Sequence, residues 1–151
     1  MVDHIQDFLS RRRIAIVGVS HEAKEFSRMV FRAFKERGYD VVPVNPHVRV
    51  IEGQYCFRRM QDVQPPAEAV LVMTPPAVSE HVMKDCLAAS VPHLWLYRRC
   101  AEAEAQCAAA GIPVIAGECP MMYLKRTGWI HRVHRWFHGR RSGQAEASGM
   151  L

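Results

Sequence analysis

Residues Ile14 to Ser20 read Ile-Ala-Ile-Val-Gly-Val-Ser, an apolar run that ends in a glycine turn shortly before a helical pattern opens. Such a segment commits the chain to folding around a buried strand, because Ile14 to Val17 has no polar face to offer water. The turn aims backbone amides, and the positive end of a helix dipole, at the space above the strand. Phosphate is the usual occupant of such a space.

Strand and helix patterns then alternate along the chain. A short helix over Ile5, Phe8 and Leu9, capped by Asp3, precedes the first strand. A helix opening near Ser27 carries Met29, Val30, Ala33 and Phe34 on one face and stops at Gly38. The next strand is Asp40 to Val44, followed by a short one around Gln54 to Cys56 and a helical turn over Arg59 to Val63. Strand Ala69 to Met73 ends in Thr74-Pro75-Pro76, and the helix after it, Ala77 to Ala89, turns Val78, Val82, Met83 and Leu87 inward. Strand His93 to Leu96, helix Ala101 to Ala110 and strand Ile112 to Ala116 complete the series. Strands separated by helices pair in parallel through right-handed crossovers. The expected fold is therefore α/β, a Rossmann-like doubly wound parallel sheet of five to six strands over residues 1–124.

The chain of 151 residues suits one domain with a proper core. Nothing in it approaches the roughly 18 consecutive apolar residues of a membrane span, and Asp3 and Asp7 interrupt any apolar signal core. Its five cysteines are odd in number and form no Cys-x-x-Cys pair, which predicts a reduced, cytoplasmic protein. Acids and bases balance through residue 124. The net charge of +5 arises beyond it, from Lys125, Arg126, Arg132, Arg135, Arg140 and Arg141, less one for Glu146. Residues 125–141 read as a basic amphipathic helix packed on the same domain, with Trp129, Ile130, Val133, Trp136 and Phe137 as its apolar stripe. Its tryptophans suit packing or a homodimer contact better than base stacking, and its charges supply only sequence-independent attraction to nucleic acid. His131, His134 and His138 share a neighbouring face with no carboxylate to complete a metal set. Residues 142–151 are small and polar and read as a disordered tail.

Ligands of a doubly wound sheet bind beyond the carboxyl ends of its strands, where strand order reverses. Four strand ends carry unusual sequences: Gly18-Val19-Ser20, Val44-Asn45-Pro46, Thr74-Pro75-Pro76 and Gly117-Glu118-Cys119-Pro120. A nicotinamide dinucleotide site calls for three glycines in the first loop and an acid at the end of the second strand. This chain has Gly18 alone in that loop, and Asn45 where the acid would stand.

The ordered set Ile16-Val17-Gly18-Val19-Ser20, Ser27, Gly38-Tyr39, Val41-Val42-Pro43-Val44-Asn45-Pro46, Val72-Met73-Thr74-Pro75-Pro76, Leu94-Trp95-Leu96 and Glu118-Cys119-Pro120 resembles the CoA-binding domain proteins. These are single-domain relatives of the CoA-binding portion of the succinyl-CoA synthetase alpha subunit. The likeness runs from about Ile14 to Leu124. It implies that Gly18, Val19 and Ser20 form the loop under the CoA diphosphate, with Lys24, Ser27 and Arg28 facing the phosphates. It implies that Asn45 and Pro46 line the adenosine, and that Thr74, Pro75 and Pro76 pack along the pantetheine arm. Cys119 and Pro120 belong to the same strand-end set, where a packed small residue before a turn proline outweighs a reactive thiol. Between Ser20 and Ser27 the chain reads His21-Glu22-Ala23-Lys24-Glu25-Phe26, where the relatives usually have Pro, Asn and Arg.

The resemblance implies a small protein that binds coenzyme A or an acyl-CoA, without catalysis of its own, and that presents the ligand to a protein partner. Two other classes stay open at this point. One is an NAD(P)-binding oxidoreductase, and the other is an interaction protein with a vestigial nucleotide pocket and a functional basic helix.

Overall fold

The computed structural model describes residues 2–124, so the expected basic helix and tail lie outside the described residues. In chain order the elements are α1 (Val2–Leu9), β1 (Arg13–Val17), α2 (Phe26–Glu36), β2 (Asp40–Val44), β3 (Val50–Ile51), β4 (Gln54–Tyr55), a 3-10 turn (Met60–Asp62), β5 (Ala69–Val72), α3 (Pro76–Ala88), β6 (His93–Leu96), α4 (Ala101–Ala109) and β7 (Val114–Ala116). Five strands form one parallel sheet in the order β2-β1-β5-β6-β7. The chain winds outward from β1 to β2, then crosses back to lay down the other half. The sheet is the doubly wound α/β arrangement the alternation predicts, with five strands.

Both faces of the sheet are covered, which is why its strands read as unbroken apolar runs. Ile14, Ile16, Val41, Leu71, Trp95 and Ile115 pack on one side with Phe8 of α1 and with Val30, Phe31 and Phe34 of α2. Ala15, Val17, Val42, Val70, Val72, Leu94 and Leu96 pack on the other side with Val82, Met83 and Cys86 of α3 and Cys107 of α4. Neighbours in sequence therefore serve opposite cores. In register, Val17 lies between Val44 and Val72, so three strands end level beneath one crevice.

Four expectations need correction. The strand around Gln54 to Cys56 does not join the sheet: Gln54 and Tyr55 pair antiparallel with Ile51 and Val50. The two-residue turn between them, Glu52-Gly53, has positive φ at both positions (48° and 76°), the geometry that folds a chain straight back on itself. Phe57 reaches the sheet's edge through a parallel bridge to Val44, and the Gln54 side-chain amide donates to the Val41 carbonyl of β2. Met29 is 49% exposed, because the inward stripe of α2 is Ser27, Val30, Phe31 and Phe34 at i, i+3, i+4 and i+7. The stripe of α3 is likewise Ser79, Val82, Met83 and Cys86; Val78 is 46% exposed and Leu87 partly so. Asp3 is not a cap, since α1 begins at Val2 and places Asp3 within its first turn.

Candidate functional site

At the reversal of strand order, the loops after β1 and β5 leave in opposite directions and open a cleft of about 640 Å³. That is a volume typical of small-molecule sites. Of the residues expected at a site, Gly18, Ser20, Asn45, Pro46, Thr74 and Pro75 line it together.

Gly18 sets its shape. Its amide donates to the Val44 carbonyl at 2.9 Å, and the Met73 amide donates to the Val17 carbonyl at 2.9 Å, which carries the ladder to the ends of the strands. Gly18 then turns with φ of +94°, and a Cβ there would stand 3.0 Å from both the amide nitrogen and Cγ2 of Thr74. Only glycine combines that backbone with that approach.

Asn45 ties the rim together. Its side-chain amide donates to the Val19 carbonyl at 2.9 Å, and its Oδ1 accepts the His47 amide at 2.8 Å. Its own amide donates to the Phe57 carbonyl at 2.8 Å. One side chain thus fastens the loop after β1 to the loop after β2.

The first loop is also held from behind. The Ser27 hydroxyl accepts the Ser20 amide at 2.9 Å, and the Ser20 hydroxyl accepts the Glu22 amide at 3.0 Å. Arg28, 8% exposed, donates from Nη1 to the Ser20 and His21 carbonyls at 3.3 and 3.2 Å, and from Nε to Glu52 at 3.2 Å. Arg32 completes the clamp on Glu52 at 3.0 Å. With these carbonyls drawn back, the amides of Val19 and His21 have no acceptor among the described residues. Unpaired amides on a glycine turn are the elements of an anion cradle.

The remaining expected residues stand elsewhere. Val19 is buried beneath the loop, and Ser27 and Arg28 brace it from behind. Lys24 is exposed further along the loop, and Pro76 opens α3 outside the cleft. Cys119 and Pro120 follow β7, three strand positions from β1, or about 14 Å at ordinary strand spacing. Cys119 is half-buried, while the other four cysteines are buried and burial pushes the Cys86 thiol up to about 12. Among the described residues, no group of three or more His, Cys, Asp or Glu is arranged to hold a metal ion.

Sequence reasoning missed the outer wall, where His47, Arg58, Arg59, His81 and Asp85 line the cleft and His21 stands at the mouth. No local pattern marks Arg58 and Arg59. They reach the cleft because Phe57 pairs with the edge of β2 and Met60 buries itself in the core below α3. The inner walls are apolar, built by Val17, Val44, Val48, Val78 and Val82.

Glu52 gives the clamp a pH dependence. Burial pushes its carboxyl up, but hydrogen bonds and charge from Arg32 and Arg28 outweigh that and hold it below its ordinary 4.5. A lowered folded-state value means stability that is complete above 4.5 and lost as pH falls through the lowered value. Glu52→Gln is expected to flatten the acid limb of a melting-temperature profile against pH. An unchanged slope would remove Glu52 from the acid response.

A family model described as a CoA binding domain matches residues 12–125. The uncharacterized protein YneT of Bacillus subtilis (strain 168) is 29% identical over 92 residues, covering 60% of this chain and 68% of its own length. A conserved hypothetical protein from Pyrococcus furiosus is similar in structure, with a TM-score of 0.70 and 27% identity over 74% of this chain and 98% of its own. The dinucleotide-forming acetyl-coenzyme A synthetase 1 of Ca. Korarchaeum cryptofilum shares the fold at a TM-score of 0.61 and 19% identity, over 70% of this chain and 26% of its own.

Proposed function

The chain belongs to the CoA binding domain family, and from that premise we propose that it binds coenzyme A or an acyl-CoA in the cleft at the carboxyl edge of the sheet. The observation that carries this is the pair of unpaired amides, Val19 and His21, on the Gly18 turn where strand order reverses. They suit the diphosphate, and the apolar walls suit the adenine ring and the pantetheine arm. Cys119 and Pro120 would meet only the far end of an extended ligand. The role proposed is binding and presentation to a partner in the reduced cytoplasm, with no chemical step. In support, the cleft's carboxylate, Asp85, is already engaged by Gln61 Nε2 at 2.9 Å and faces His81 Nε2 at 3.9 Å.

Thermal unfolding with CoA, acetyl-CoA, NAD, NADP and ATP tests this directly. A ligand at about 100 times its dissociation constant adds roughly 2.7 kcal/mol, a rise of several degrees for a domain of this size. The expected result is a shift with CoA or acetyl-CoA that the other three do not match. A shift with NAD or NADP instead would replace the reading with a dinucleotide enzyme, and no shift with any nucleotide would end it.

A further inference from the structure

The cleft separates two kinds of anion recognition. On the β1 side the lining is the uncharged turn of Gly18, Ser20 and His21, with the His21 amide unpaired among the described residues, while Lys24 and Arg28 lie outside the lining. On the outer side stand the guanidinium groups of Arg58 and Arg59, with the imidazoles of His47 and His81 nearby. Arg58 is exposed and makes no ion pair among the described residues. Arg59 has only an exposed partner, Asp62, at 3.5 Å. The other carboxylate on that side is Asp85, held by Gln61 and His81.

The spacing follows from the sheet. Gly18 ends β1, Asn45 ends β2, and Phe57 lies beside β2 in the next strand position, immediately before Arg58. Two strand spacings amount to about 10 Å. A ligand spanning that interval carries one anionic group for the amide cradle and a second for the arginines. Five-membered sugars phosphorylated at two positions have this form.

Building on the CoA reading, we infer that Arg58 and Arg59 form a phosphomonoester subsite that recognises the 3′-phosphate of a ribose whose 5′-diphosphate sits on the Gly18 turn. The subsite makes the cleft selective for 3′-phosphorylated adenine nucleotides over the same nucleotides lacking that group. Guanidinium groups suit it because they offer fixed pairs of donors to phosphate oxygens.

Calorimetric titration with CoA against dephospho-CoA, and with 3′,5′-ADP against 5′-AMP, reads the selectivity. At low salt the 3′-phosphorylated member of each pair is expected to bind on the order of tenfold to a hundredfold tighter. In an Arg58→Ala/Arg59→Ala variant the difference should fall to within about threefold, and Arg58→Lys/Arg59→Lys should restore part of it. Both positions are exposed, and melting curves confirm that each variant is folded. Equal affinities in the unmodified protein, or selectivity that survives in the double alanine variant, would overturn the subsite and leave the CoA reading intact. Binding of neither CoA nor dephospho-CoA would overturn both.

Discussion

Replacing Gly18 with alanine is expected to cost on the order of 2–5 kcal/mol of stability and to abolish ligand binding. Two effects combine. The backbone at +94° is one that side-chain-bearing residues rarely adopt, which alone costs about 1–3 kcal/mol. The new methyl group would also press on the Thr74 amide nitrogen at 3.0 Å and the Met73 carbonyl carbon at 3.1 Å. These are backbone atoms at the end of β5, which cannot swing aside. Relief requires β1 and β5 to part where the cleft opens, and that displaces the anion cradle. Gly53 is the control, with φ of +76° and nothing within 4 Å of an added Cβ. Gly53→Ala therefore isolates the backbone effect, and denaturant melts of the two variants should differ by the contact contribution. Equal losses would show that Thr74 and Met73 yield freely.

Trp95→Ala carries the other large effect, an expected loss of about 3–5 kcal/mol. Trp95 is fully buried at the middle of β6, edge-to-face with Phe8 at 5.2 Å and near Tyr123 at 6.0 Å. Its Nε1 donates to the Glu118 carbonyl at 2.9 Å, so the same ring that fills the core also tethers the loop carrying Cys119. Trp95→Phe separates these roles, because it keeps most of the apolar volume and removes the donor. That variant is expected to lose only about 1–3 kcal/mol, most of it from the unpaired carbonyl and the smaller ring, and to speed amide exchange across 117–119. If exchange there were unchanged in Trp95→Phe, the tether would have no hold on the loop.

The strands were legible because a sheet covered on both faces leaves each strand apolar beyond its first residue, in runs too short for a helix and bounded by turn residues. The α3 face was misread because two of its four buried positions are Ser79 and Cys86. Ser79 goes inward since its hydroxyl meets Thr74 Oγ1 at 2.8 Å, a match made across the turn that hydrophobic counting cannot register. Met29 was assigned a buried place by its chemistry, whereas the period of the helix gives that place to Phe31. The β3–β4 hairpin escaped notice because its turn is Glu-Gly, not the Asn-Gly or Asp-Gly that signals such a bend. Glu52 holds its left-handed backbone under two arginines that precede it by at least 20 residues. The loops at the cleft could be named from Gly18, Asn45 and Thr74-Pro75. Which cations face inward could not, since that depends on where Glu52 and Phe57 come to rest.

The Asn45 side chain makes the loops after β1 and β2 a single body, locked from one side by the Val19 carbonyl and from the other by the His47 amide. A cleft bolted in this way has little left to arrange when an occupant arrives. Recognition should then resemble a key entering a cut lock, with nearly superimposable backbones in the empty and filled states and little ordering entropy charged to the encounter.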